Sequence, residues 1–316
     1  MHARHLVTFG VLWALAFVGL ESLQFVFFGN VFQRIDSFLF GALVFGVTTF
    51  VFVGWAAMAR SGQLRLAFSH PAQLLRINAV AVLAWVAYLG AVQVIEPAIA
   101  YTIGCGVMPM VAWAAHRMGV PEGEAFRNRT ETIGVCVIAL SLVFLIWVTL
   151  SGGSGFVRGG TGVAILGVAL AVADGFFFTW LLIHCQRIDR VGVGPGTVFG
   201  LRFPLYVLVA AVLAGLEVEQ KPPLPMGEVV WIVVIGLVLI IPPLYALQRA
   251  VALISTLTIG AITALGPFLI FVLQIIEGRV EFAEMTLIGL GIYSLGAVLA
   301  AFGAMKGARG EAGTTP

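Results

Sequence analysis

Residues 132–150 read TIGVCVIALSLVFLIWVTL, a run without a single charge. Each residue of a helix rises about 1.5 Å, so a run of this length covers a hydrocarbon core of about 30 Å. The stretch is apolar on every face instead of alternating, which excludes a barrel strand. Its backbone amides then need partners within the segment, and in lipid that means a helix. Further stretches of the same kind fill the chain around it, at about 6–28, 37–58, 77–95, 98–116, 162–184, 198–216, 228–247, 251–276 and 282–304.

The expected fold class is therefore all-α integral membrane, with ten transmembrane helices and no room between them for a soluble domain. Composition agrees: 60% of residues are hydrophobic and 10% charged, against about 25% charged in soluble domains. Mean hydropathy is +1.07. The lipid bilayer is one expected partner, a small-molecule substrate the other, and a net charge of +2 gives no reason to expect nucleic acid.

Basic residues set the orientation. With a cytoplasmic N-terminus, the inner segments hold Arg4, Arg60, Arg65, Arg76, Arg117, Arg127, Arg129, Arg187, Arg190, Arg249, Lys306 and Arg309. The outer loops then hold only Arg34, Arg158, Lys221 and Arg279. That bias follows the positive-inside rule and places both termini in the cytoplasm. Residues 1–28 read as a retained first span, because Glu21 interrupts a run too long for a signal peptide. Cys105, Cys136 and Cys185 have neither paired nor metal-ligand spacing and read as packing residues; no metal or cofactor is expected.

The chain divides into a first five-helix unit (1–150), a linker (151–161), a second unit (162–305) and a polar, disordered cytoplasmic tail (306–316). The linker holds the sequence SGGSGFVRGG over 151–160. No Gly-Lys-Ser/Thr follows it, so it reads as a flexible outer tether and not as a phosphate loop. The halves echo one another in a common order. Ala91-Val92-Gln93 answers Ala246-Leu247-Gln248. The small-residue helix from Ala100 to Pro109 answers that from Thr258 to Pro267, and Gly134 answers Gly289. Five spans per copy force the second to enter upside down, and inverted repeats are the basis of alternating access. Pro109 and Pro267 each remove an intrahelical hydrogen bond beside small residues, so they are the candidate hinges.

The small-residue helix ending in Pro267, followed by Glu277-Gly278-Arg279 and the run from Phe282 through Gly289 and Gly296 to Leu299, resembles the drug/metabolite transporter superfamily, EamA type. Pro109, Gly123-Glu124 and Gly134 form the first-half copy, and Trp13 and Leu201-Arg202-Phe203 match further frequent features. The resemblance implies a scaffold for moving small metabolites, above all export of amino acids or related compounds across a bacterial cytoplasmic membrane. No ATP-binding motif is present, so a gradient would drive it.

Three charges sit within spans: Glu21, Asp174 and Arg202. A charge in lipid costs several kcal/mol, about 2.5–3.5 on lenient scales, so each should face the interior. Asp174 and Glu21 are candidates for a substrate ammonium or a proton, or Asp174 forms a structural pair with Arg202. Arg202 is a candidate partner for a substrate carboxylate, or it snorkels to headgroups. Trp85 and Tyr88 share a helix face, and with Tyr101, Tyr245, Gln93 and Gln248 they complete the candidate substrate site. The alternative within transport is uptake or exchange of a cationic compound such as a quaternary amine. A membrane enzyme would need clustered catalytic Asp, His or Cys at one face, and the loops offer none; a scaffold role ranks equally low. Two halves suffice to enclose a site in one chain, and an oligomer stays open.

Overall fold

The computed structural model describes residues 2–253 and 262–312. Among them, every regular element is helical: α1 (His2–Val31), α2 (Ser37–Ala59), α3 (Ser61–Phe68), α4 (Pro71–Val94), α5 (Pro97–Arg117), α6 (Arg129–Leu150), α7 (Thr161–Arg190), α8 (Pro195–Leu201), α9 (Pro204–Gly215), α10 (Met226–Leu253), α11 (Gly266–Glu277) and α12 (Glu284–Ala312). The single extended contact is an antiparallel bridge between Ile95 and Val157.

Nine helical segments among the described residues are long and apolar enough to cross a membrane. Large apolar side chains such as Phe50, Met58, Leu140 and Ile276 stand on the outer surface, as a lipid-facing shell requires. The chain is thus a multi-pass, all-helical membrane protein. The expected ninth span, 251–276, falls partly on residues outside the described ones. The helix described beyond them, α11, has 12 residues and is too short to cross alone.

Local chemistry sets the helix ends. Asp36 accepts from the amide of Leu39 at 2.8 Å and starts α2. Asn128 accepts from the Glu131 amide at 3.0 Å, while Glu131 reaches back to the Arg127 amide at 2.7 Å, a variant of the capping box. Prolines occupy the first turns of α4, α5, α8, α9 and α11, where the missing N–H is not needed.

Three sequence expectations change. The seventh span, read as continuous over 198–216, is broken at Arg202–Phe203 into α8 and α9, because Pro204 cannot continue the preceding turn. Asn78 of α4 bridges the break, donating to the Leu201 carbonyl at 2.8 Å and accepting from the Leu205 amide at 3.1 Å. α12 runs on to Ala312, past position 306 where the disordered tail was placed; propagating an anchored helix costs far less than starting one. The linker is not a free tether: the amide and carbonyl of Gly155 and the amide of Arg158 all have partners.

Helices pair in a definite pattern. α4 packs on α7 and α1 on α10; α5 packs on α7 and α1 on α11; α2 packs on α9, and α6 on α12. Glycines permit the closest of these approaches. A Cβ at Gly175 would stand 2.3 Å from the Gly104 carbonyl oxygen, and one at Gly134 would stand 2.2 Å from the Ala300 amide. Between α1, α2, α4 and α9 lies an aromatic core, with Phe45 stacked on Phe203 at 4.5 Å and edge-on to Tyr206 at 5.1 Å.

Candidate functional site

Five helices bring polar and aromatic groups together near the middle of the bundle. Tyr101 of α5 donates its hydroxyl to Glu21 of α1 at 3.2 Å. Its ring meets Phe25 edge-on at 4.8 Å, and Phe25 meets Tyr88 of α4 at 4.9 Å. Gln24 donates to the Tyr88 hydroxyl at 3.0 Å, and Trp85 stands edge-on to Tyr88 at 5.4 Å. Glu21 and Asp174 both lie within electrostatic reach of the Tyr88 hydroxyl and the Cys105 thiol. Tyr293 of α12 closes the group from the far side, within reach of Glu21 and Cys105.

Asp174 owes its place to a missing side chain. A Cβ at Gly104 would stand 2.8 Å from the Asp174 carboxylate oxygen. Glycine there lets α7 lay its acid directly over the backbone of α5. Among the described residues nothing hydrogen-bonds or ion-pairs with Asp174, and the side chain is only partly buried. Glu21, also partly buried, has Tyr101 alone. The indole N–H of Trp85, the neighbour of Tyr88, is buried with no hydrogen-bond partner among the described residues. Two carboxylates thus lie among three tyrosines, and among the described residues no basic side chain is paired to either acid. Such a group suits a cation, which carboxylates attract by charge and ring faces by their quadrupole.

The remaining sequence candidates go elsewhere. Arg202 sits at the α8–α9 break, its guanidinium 4.4 Å over the Phe199 ring and 4.7 Å over Phe203, beside the Cys185 thiol. It makes no pair with Asp174; its ring partner Phe203 stands 6.2 Å from Trp85, which in turn meets Tyr88. Tyr245 of α10 is 54% exposed and meets Trp13 edge-on at 5.6 Å. The side chain of Gln248 lies outside the described residues. Pro109 lies within a continuous α5, whereas Pro267 opens α11 just after a turn at Ala264–Leu265. That turn has its own support, since Ser294 donates to the Ala264 carbonyl at 2.9 Å.

Gln93 belongs to a second polar region, on the face that carries the 151–160 linker. Its side-chain oxygen accepts from Arg158 at 3.1 Å and Lys221 at 2.9 Å, and its amide donates to Glu219 at 3.1 Å. Glu219 also takes the amide and hydroxyl of Ser37 and pairs with Lys221 at 2.6 Å. Burial raises the Glu219 carboxyl, but the bonds from Lys221, Ser37 and Gln93 win and hold it below the ordinary value of 4.5. Nearby, Glu96 is fully buried, and burial pushes its carboxyl up against the pull of its donors. Neither Glu96 nor its partner Gln274 stands out in the sequence; each is one polar residue at the edge of an apolar run. The signal that could have marked Glu96 is its place directly before Pro97, at a tight corner between spans.

No family model and no curated protein matches the chain. A solved crystal structure, described only as that of a protein, superposes on 96% of this chain and 98% of its own with a TM-score of 0.60 and 18% identity. At that identity the likeness shows the fold alone: an arrangement that another chain of similar extent also adopts.

Proposed function

We propose that this chain is a secondary transporter that moves small organic metabolites across a bacterial cytoplasmic membrane by alternating access. Its ten spans would form two inverted five-helix repeats with both termini cytoplasmic, as the resemblance to EamA-type drug/metabolite transporters implies. The observation that carries the reading is a symmetry of packing. Exchanging each expected span with the one five later turns the α4–α7 pair into α10–α1, and α5–α7 into α11–α1. The α2–α9 and α6–α12 pairs map onto themselves. Side chains follow the same exchange: Gly134 meets Ala300, and Gly289 meets Leu145. Gly289 and Ala300 each stand 155 residues after Gly134 and Leu145, the same step that separates Gln93 from Gln248. A packing that survives this exchange offers two arrangements of similar energy, opening to opposite sides of one central site.

The Glu21–Asp174 cluster is that site in our reading, with the acids recognising an amino group. Export of amino acids or related compounds is the form the resemblance favours. A second reading, exchange of a cationic compound, draws on the absence, among the described residues, of any basic side chain paired with either acid, Arg202 being packed instead over Phe199 and Phe203. A substrate carboxylate would have no charged partner in the cluster, whereas a quaternary amine would need none.

Counterflow in proteoliposomes, with panels of amino acids, choline-like cations and nucleotide sugars, tests both. Saturable exchange of an amino acid supports export of that class, and exchange of cations alone selects the second reading. A correctly folded, reconstituted chain that exchanges no small metabolite would sink transport as the function.

A further inference from the structure

The segment between the halves is tied to both of them. The Gly155 amide donates to Glu96 Oε2 at 2.9 Å, and the Gly155 carbonyl accepts from the Glu281 amide at 3.0 Å. The Arg158 amide donates to the Val94 carbonyl at 2.8 Å, next to the Ile95–Val157 bridge. Only glycine fits at 155, where a Cβ would stand 2.0 Å from the Glu281 carbonyl oxygen. Residues 153–158 thus strap the α4–α5 corner to the α11–α12 turn.

Glu96 is the point where these ties converge. Besides Gly155 it accepts from the Gln274 amide of α11 and from the Thr286 hydroxyl of α12 at 3.0 Å. Gln274 in turn accepts from the Ala98 amide at 3.2 Å. Arg279 lies within electrostatic reach of Glu96. It packs 4.3 Å over the Phe156 ring of the strap and pairs with Glu277 at 3.9 Å, while among the described residues its side-chain nitrogens make no hydrogen bond. Beside it, Glu277 accepts from Asn30 of α1. One fully buried carboxylate therefore holds the linker, α11 and α12 against the first half.

We infer that residues 153–158 are the strap of a gate on the linker face and that Glu96 is its latch, a positioning residue that governs access to the central site from that side. This rests on the alternating-access reading above. A carboxylate shared by three donors releases them together, because each donor left behind in a buried corner is an unmet polar group. The latch thus has two states, closed and open, with no stable half-way form. Closing this face while the opposite one opens is what alternating access asks of one half of the cycle. The tether between repeats, the least constrained part of the chain on composition, becomes the moving part.

The test needs no substrate. Val92, fully buried and one turn inside the latch, is replaced by Cys in the full chain reconstituted in vesicles. A membrane-impermeant sulfonated maleimide is then added to each face in turn, with the chain lacking the added cysteine as background. Glu96→Gln should raise the labelling rate from the linker face about tenfold and leave the other face unchanged, the shift expected for loss of one hydrogen bond to a charged group. Hydrogen exchange should rise together in the peptides covering 153–158 and 281–287, because a single latch ties both. A rise confined to the strap, or an unchanged labelling rate in a variant that melts like the parent, overturns the proposal. If Glu96→Gln does not fold, Thr286→Val removes one donor and should give the same signs at about threefold. Counterflow distinguishes the two readings: flux with an unresponsive latch removes the gate alone, and a responsive latch without flux removes transport alone.

Discussion

Glu96 and Asp174 are both acids taken out of bulk water, and the fold treats them in opposite ways. Glu96 sits at a corner between helices and gathers three hydrogen bonds from three segments. Asp174 sits mid-helix over Gly104, where nothing among the described residues donates to it. A buried acid that accepts three hydrogen bonds is a structural joint; its removal orphans its donors. An acid within a membrane span with none in use is a standing cost that folding alone does not explain, and a ligand or a proton that completes it gives a reason for keeping it. The same division runs through the two polar regions as wholes. The linker face is crowded with paired charges, while the central cluster holds two acids with one tyrosine bond between them and the protein.

The comparison breaks first at Asp174. Asp174→Asn should lower counterflow by about a hundredfold or more while leaving thermal unfolding within about 0.5 kcal/mol of the parent, as for a substitution that orphans no partner. A large loss of stability would mean that the acid is a joint after all. Glu96→Ala should do the reverse, costing about 3–5 kcal/mol by leaving its donors unmet in a buried corner, with substrate affinity in binding assays unchanged. Crowding offers a finer test. Gly104→Ala presses a methyl group against the Asp174 carboxylate, and about 1–3 kcal/mol of overpacking should appear as weaker binding along with a lower melting temperature. Asn78→Ala, read by thermal unfolding, should cost about 1–3 kcal/mol, because the α8–α9 break loses both of its bridging bonds.

The smallest effect concerns pH. The bonds of Glu219 hold its carboxyl below 4.5, so its contribution is fully present above that value. The contribution fades as pH falls through the depressed one. Melting temperature measured from pH 6 down to 3 should therefore drop less steeply in Glu219→Gln than in the parent. Equal slopes would remove Glu219 from the acid response.

Much of this was readable in the chain itself. Runs such as 132–150 fixed the helices, since no other backbone satisfies its own amides in lipid. The proline positions fixed where five of the twelve described helices begin. Glu21, Asp174, Trp85, Tyr88 and Tyr101 were legible as site candidates because charge and rings inside apolar runs need a reason, and the fold brings all five together. Arg202 and Gln93 were candidates beside them and went elsewhere. An arginine packed over ring faces, and a glutamine held by Lys221 and Arg158, cannot be told in one dimension from residues awaiting a ligand.

Sequence alone determined the solvent this protein lives in, because burying an unpaired backbone in lipid costs more than any side-chain preference can offset. The echo of glycines and prolines along the chain is the sequence's share in the proposed doubled plan. Only the tertiary structure decided which polar residues are spent on holding the bundle and which are left over. Hydrogen-bond satisfaction is a property of neighbours in space, and the partners of Glu96 lie up to 190 positions away along the chain.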